Sequence, residues 1–137
     1  NTSIILITHD LGVVADLCSR IIVMYGGLIM EEGTASQIFY QPKHPYTIGL
    51  LKSIPKLHKK DKERLIPIDG TPPDLVKPPT GCPFYARCDF AMKICQEQQP
   101  PYFSAGPGHR SMCWRMHEDA PANERFSKEF TKGVSHV

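Results

Sequence analysis

Ile4-Ile5-Leu6-Ile7-Thr8-His9-Asp10 sets four branched apolar residues in a row ahead of a polar Thr-His-Asp end. An unbroken apolar run of this length suits a strand covered on both faces, which normally belongs to a parallel sheet in an α/β domain. Such a strand needs neighbours. None of comparable pattern precedes it, so the expectation is a chain that opens inside an α/β domain. His9 and Asp10 then fall just beyond the carboxyl end of the strand, where sheets of this kind put chemistry.

Reading onward, the hydrophobic period changes element by element. Asp10 is placed to cap a helix whose stripe is Leu11, Val14, Leu17 and Cys18. Arg20 to Tyr25 reads as a strand, Gly26-Gly27 as a turn tolerant of positive φ, and Leu28 to Glu32 as the returning strand, ended by Gly33. Thr34 and Gln37 have capping-box spacing for a short helix through Phe39. Pro45 opens a further helix through Leu51, and Pro55 stops it.

Taken in order, ILITHDLGVVADLCSRIIVMYGGLIMEEG resembles the closing segment of an ABC-transporter ATPase domain, and QPKHPYTIGLLKSIP resembles the extension found in oligopeptide and dipeptide importers of that family. The resemblance covers residues 4 to 55 almost continuously. It implies an α/β fold, the C-terminal fragment of an ABC ATPase domain followed by a proline-rich, cysteine-containing extension. The implied division is 1–40 as the end of the ATPase domain, 41–64 as the His-Pro-Tyr helix and a charged linker, and 65–137 as the extension.

By this resemblance His9 matches the switch histidine, the catalytic and nucleotide-contacting residue that meets the terminal phosphate of ATP and helps organise the attacking water. A neutral imidazole suits that task, donating from one nitrogen while a neighbour holds the other. An ordinary loop histidine is the plainer reading of the residue alone. Asp10 reads as a helix cap, not a catalyst.

A phosphate site in such ATPases needs a glycine-rich loop ending in Lys and Ser or Thr, and a carboxylate that organises Mg²⁺. This sequence contains neither, nor a Leu-Ser-Gly-Gly-Gln-like signature. The expectation is a piece of a peptide-importer ATPase that does not hydrolyse ATP alone, with ATP and Mg²⁺ bound only by the complete ATPase. Whether the chain by itself counts as an enzyme is left open by its residues. The implied partners are a second ATPase subunit and the membrane subunits of the transporter, and the implied location is cytoplasmic, peripheral on the inner face of the cell membrane. An unpaired first strand would also make the fragment self-associate.

A formal charge of +2 on 137 residues provides no strong field for nucleic acid. The densest basic run, Lys56 to Arg64, is interrupted by Asp61 and Glu63 and carries no stacking aromatic, so it reads as a solvated linker. No apolar stretch approaches the ~20 residues of a bilayer span.

Composition shifts in the second half, where nine of the thirteen prolines lie between Pro67 and Pro107. Turns and extended chain are expected there, with one short strand possible before Gly70. Cys82, Cys88, Cys95 and Cys113 have five, six and seventeen residues between them, wider than the pairs of zinc ribbons and unlike the common ferredoxin spacings. A metal or cluster site is one reading, and disulfides or buried free thiols are the others. The aromatic surroundings, and similarity to importer tails that carry a four-iron cluster on four cysteines, favour a 4Fe-4S cluster with zinc as the alternative. On that reading the chain could equally serve as a non-enzymatic metal- or cluster-binding interaction module. Cys18 reads as a packed thiol. His109 is a possible substitute ligand, although Pro107-Gly108-His109-Arg110 reads better as a loop. Phe126 and Phe130, at helical spacing, suggest a short amphipathic helix near the end.

Overall fold

The computed structural model describes residues 2–54, 67–122 and 126–128. The linker reading of Lys56 to Arg64, the helix stop at Pro55 and Phe130 lie outside these residues.

Within them the chain runs α1 (Leu11–Leu17), β1 (Arg20–Tyr25), β2 (Leu28–Thr34), α2 (Ala35–Tyr40), α3 (Pro45–Lys52), α4 (Lys93–Glu97), β3 (Phe103–Gly106) and β4 (His109–Ser111), with single 3₁₀ turns at Tyr85–Arg87 and Trp114–Met116. The four strands form one antiparallel sheet in the order β1-β2-β4-β3. Two strands from the proline-rich half thus extend the hairpin made by the first half.

Local chemistry accounts for the first part. Asp10 Oδ1 accepts from the Gly12 and Val13 amides at 2.9 and 3.2 Å, satisfying donors that the first turn of α1 leaves free. The helix stripe is narrower than its spacing suggests: Val14 is buried, but Leu17 is 74% exposed. Gly26 and Gly27 both take positive φ, 58° and 81°, the conformation a two-residue hairpin turn requires. The register slips between Val23 and Met24, which leaves Met30 as the extra residue of a bulge, fully buried. Its carbonyl accepts from the Met112 amide at 2.8 Å, so the bulge is what the far end of β4 docks onto. Thr34 and Gln37 form the capping box, and Pro45 occupies the first turn of α3.

One apolar cluster joins Val14, Ile21, Val23, Ile38 and Phe39; the other joins Tyr25, Met30, Cys82, Phe84, Cys95 and Met112. Tyr46 packs against both. Its ring lies 4.7 Å from that of Tyr25 and 5.2 Å from that of Phe84, distances typical of aromatic pairs that contribute beyond their buried area.

Three expectations need correction. Ile4 to Asp10 forms no strand, and Ile4, Ile5 and Ile7 are 86%, 91% and 94% exposed. A strand exists only through hydrogen bonds to a neighbour, and no described strand pairs with this segment. Nor is the sheet parallel. The third correction concerns the proline-rich half: residues 67–69 form no strand, whereas His109, read as loop, begins β4.

Candidate functional site

His9 is solvent-exposed, two residues ahead of α1. Its neighbours are fixed by local bonds: Thr8 Oγ1 accepts from the Asp10 amide at 3.0 Å, and Asp10 caps the helix. The imidazole therefore stands exposed at a helix entrance. Asp10 acts as the cap that its position suggests.

The densest buried chemistry lies elsewhere. Glu31 on β2 has no exposed surface, and its carboxylate accepts from the Lys43 amide at 2.7 Å, the His44 amide at 2.9 Å and His109 Nε2 at 2.7 Å. Three donors compensate for removing a charge from water, which is otherwise costly. His44 in turn caps α3 through Nδ1, which accepts from the Tyr46 amide at 3.0 Å. Burial lowers its pKa to about 3, against a smaller opposing pull from the Met112 backbone, so the ring stays neutral. The His-Pro-Tyr triplet thus works as a structural joint: His44 starts the helix, Pro45 sets its first turn and Tyr46 enters both clusters.

Cys82, Cys88, Cys95 and Cys113 do converge, lining a small cavity of about 10 Å³ together with Phe84, Phe90 and Trp114. All are free thiols, as is Cys18. The expected 4Fe-4S cluster, or zinc in its place, is not upheld. Among the described residues no group of three or more His, Cys, Asp or Glu side chains is arranged to hold a metal ion. Burial pushes the Cys82 thiol up to about 11 and that of Cys88 to about 12, and drives Cys113 higher still, so these side chains stay neutral thiols. Cys95 Sγ accepts a weak bond from the Met92 amide at 3.4 Å, and Cys82 and Cys95 are also joined through their backbones at 2.7 Å. The quartet is a packed apolar core, one of the plainer alternatives its spacing allowed, and the metal-binding interaction module falls with the metal.

Residues 30–95 match the family model described as the oligopeptide/dipeptide transporter C-terminal region. That span begins at the Met30 bulge, takes in Glu31 and the His-Pro-Tyr joint, and ends at Cys95. The chain is also 53% identical over 124 residues to the oligopeptide transport ATP-binding protein OppD of Bacillus subtilis, covering 90% of this chain and 35% of that protein. Over residues 30–95 this chain belongs to the oligopeptide/dipeptide transporter C-terminal family. The dipeptide transport ATP-binding protein DppD of Bacillus subtilis is 52% identical over 88% of the chain and 36% of its own length. OppD of Salmonella typhimurium is 50% identical over 87% of the chain and 35% of its own length. The chain therefore corresponds to a C-terminal part of such a subunit and spans about a third of the length of these relatives.

Sequence reading missed Glu31, which it passed over as the end of a strand, and underrated His109. A charged residue directly after the apolar run Leu28 to Met30 of a strand was the available signal. Its partners, 12 to 78 positions away, were not visible from it.

Proposed function

We propose that this chain is the C-terminal portion of the ATP-binding, energy-coupling subunit of a peptide importer, and that alone it does not hydrolyse ATP. The observation that carries the reading is identity of about one half, over nine-tenths of the chain, to proteins named as peptide transport ATP-binding subunits. His9 is the switch histidine of that subunit. Its exposure ahead of a capped helix supports this role, because a phosphate-sensing imidazole must be reachable from solvent and fixed at its base. The sequence offers no phosphate-binding loop and no Mg²⁺-organising carboxylate; ATP and Mg²⁺ belong to the complete ATPase, which supplies the phosphoryl-transfer chemistry.

In this reading residues 1–40 close the ATPase domain, 41–64 carry the His-Pro-Tyr helix and a linker, and 65–137 form the importer extension. The partners are a second ATPase subunit and the transporter's membrane subunits, and the site of action is the inner face of the cell membrane. None of the described helices is long and apolar enough to cross a membrane.

The test is ATP turnover. The purified chain should show none above background. The assembled transporter carrying His9→Ala in its complete ATP-binding subunit should lose about a hundredfold or more of its turnover. Turnover by the isolated chain that His9→Ala abolishes would refute the first statement, and an unaltered rate in the assembled variant would refute the second.

A further inference from the structure

The β1–β2 turn and the loop that follows Gly70 enclose a cleft of about 200 Å³, walled by Tyr25, Tyr85, Pro73 and Pro83 and edged by Lys77 and Arg87. A cleft of that volume has room for a group the size of one amino-acid residue. A methyl group at Gly26 would lie 3.1 Å from Pro83 and 3.3 Å from Pro73, so turn and loop are already in close contact.

Arg87 supplies the polar end. Its Nε donates to the Asp69 carbonyl at 2.8 Å, Nη2 to the Ile68 carbonyl at 2.7 Å and Nη1 to the Tyr25 hydroxyl at 3.1 Å. Every one of these acceptors is uncharged, and no carboxylate of the described residues pairs with the guanidinium. Three of its five donors are thereby used, leaving one N–H on each terminal nitrogen. A guanidinium held by three neutral acceptors, with a donor left over on each terminal nitrogen, suits a planar two-oxygen acceptor. Lys77 adds a second positive charge to the same cleft. Asp74, the carboxylate at its edge, is engaged by its own loop, where Oδ1 accepts from the Val76 amide at 2.9 Å.

We propose that this cleft binds a small organic carboxylate with an apolar body, the carboxylate on Arg87 and Lys77 and the body against the proline and tyrosine walls. Neither part suffices by itself. A bare anion wastes the apolar walls, and a neutral apolar amide leaves the guanidinium unanswered.

The test is a titration of the full chain followed by ¹H–¹⁵N correlation spectra, including the Arg87 side-chain Nε–H. N-acetylleucine should produce saturable shifts at Arg87, Gly70 and Ala86 with a dissociation constant of about 1 mM. Its uncharged amide and inorganic phosphate should each bind about tenfold more weakly, the loss expected for one charge-assisted contact or for the apolar body. Arg87→Lys keeps the charge without the fork and should weaken binding to a similar degree. Lys77→Ala, at an exposed position that does not hold the loop, should weaken it severalfold and decides the matter should Arg87→Lys fail to fold. Absence of saturable shifts at tens of millimolar overturns the proposal, as does equal binding of the amide or of phosphate.

Discussion

Glu31 is where three segments distant in sequence meet, and its chemistry makes it hard to replace. Gln retains one acceptor oxygen but turns the other into a donor facing donors, so Glu31→Gln should cost about 2–3 kcal/mol of unfolding free energy, read as a lower urea midpoint at unchanged slope. Ala should cost more, since it leaves two amides and a buried imidazole without their acceptor. His44 carries a pH dependence of definite sign. Folding lowers its pKa from 6.5 to about 3, so between those values the unfolded chain binds a proton that the folded chain refuses. Its contribution is complete above about pH 6.5 and is lost as pH falls toward 3, with a slope approaching 1.4 kcal/mol per unit. His44→Asn, which keeps a capping oxygen without the titration, should flatten a plot of urea midpoint against pH over that range. The cysteines follow from the same reasoning about burial. With thiols raised to about 11 and 12, iodoacetamide at pH 8 should leave Cys82 and Cys88 unmodified in the folded chain while labelling them fully in urea, as mass spectrometry would reveal.

Elements in the first half form where local signals agree, and those in the second half form by docking. The Asp10 cap, the Gly26-Gly27 turn, the Thr34/Gln37 box and the Pro45 start were all legible because each acts over a few residues. β3 and β4 were not. They are short, bounded by Pro101 and Pro107, and owe their pairing to β2, where Glu31 stands opposite Ser111. Glycines separate the two regimes. Gly27 has positive φ and open space around a prospective Cβ, so Gly27→Ala should cost only about 1 kcal/mol of backbone strain. A Cβ on Gly81 would lie 2.2 Å from the Cys95 carbonyl oxygen and 2.6 Å from that of Gln96. Backbone cannot yield as a flexible side chain can, so Gly81→Ala should displace the cysteine-bearing loop, lowering the melting temperature well beyond the Gly27→Ala variant and speeding amide exchange around Cys82 and Cys95 first.

Across the whole molecule, packing is concentrated on one side of the hairpin. Ile21, Val23 and Tyr25 point into the clusters, while Ile22 and Met24 on the opposite face are 51% and 57% exposed. Ile4, Ile5 and Ile7 are more exposed still, and apolar side chains left in water in this number seek cover. We expect the isolated chain to self-associate, measured as a light-scattering mass above that of the monomer and rising with concentration. A constant monomer mass would contradict it. The same exposure explains why the opening strand was misread: its composition is that of a buried strand, but burial requires neighbours that no pattern within the segment can supply.

The amino-acid order by itself determined the family, the hairpin, the helix caps and the candidate role of His9, because these rest on contacts between residues a few positions apart or on motifs read in series. Only tertiary structure decided that His-Pro-Tyr is a joint, that Glu31 holds His109 across 78 positions, and that Cys82, Cys95 and Cys113 pack as buried thiols with Cys88 partly buried beside them. Each of those outcomes depends on which side chains meet after the chain has closed, and on how much water that closure removes; neither quantity is encoded in spacing.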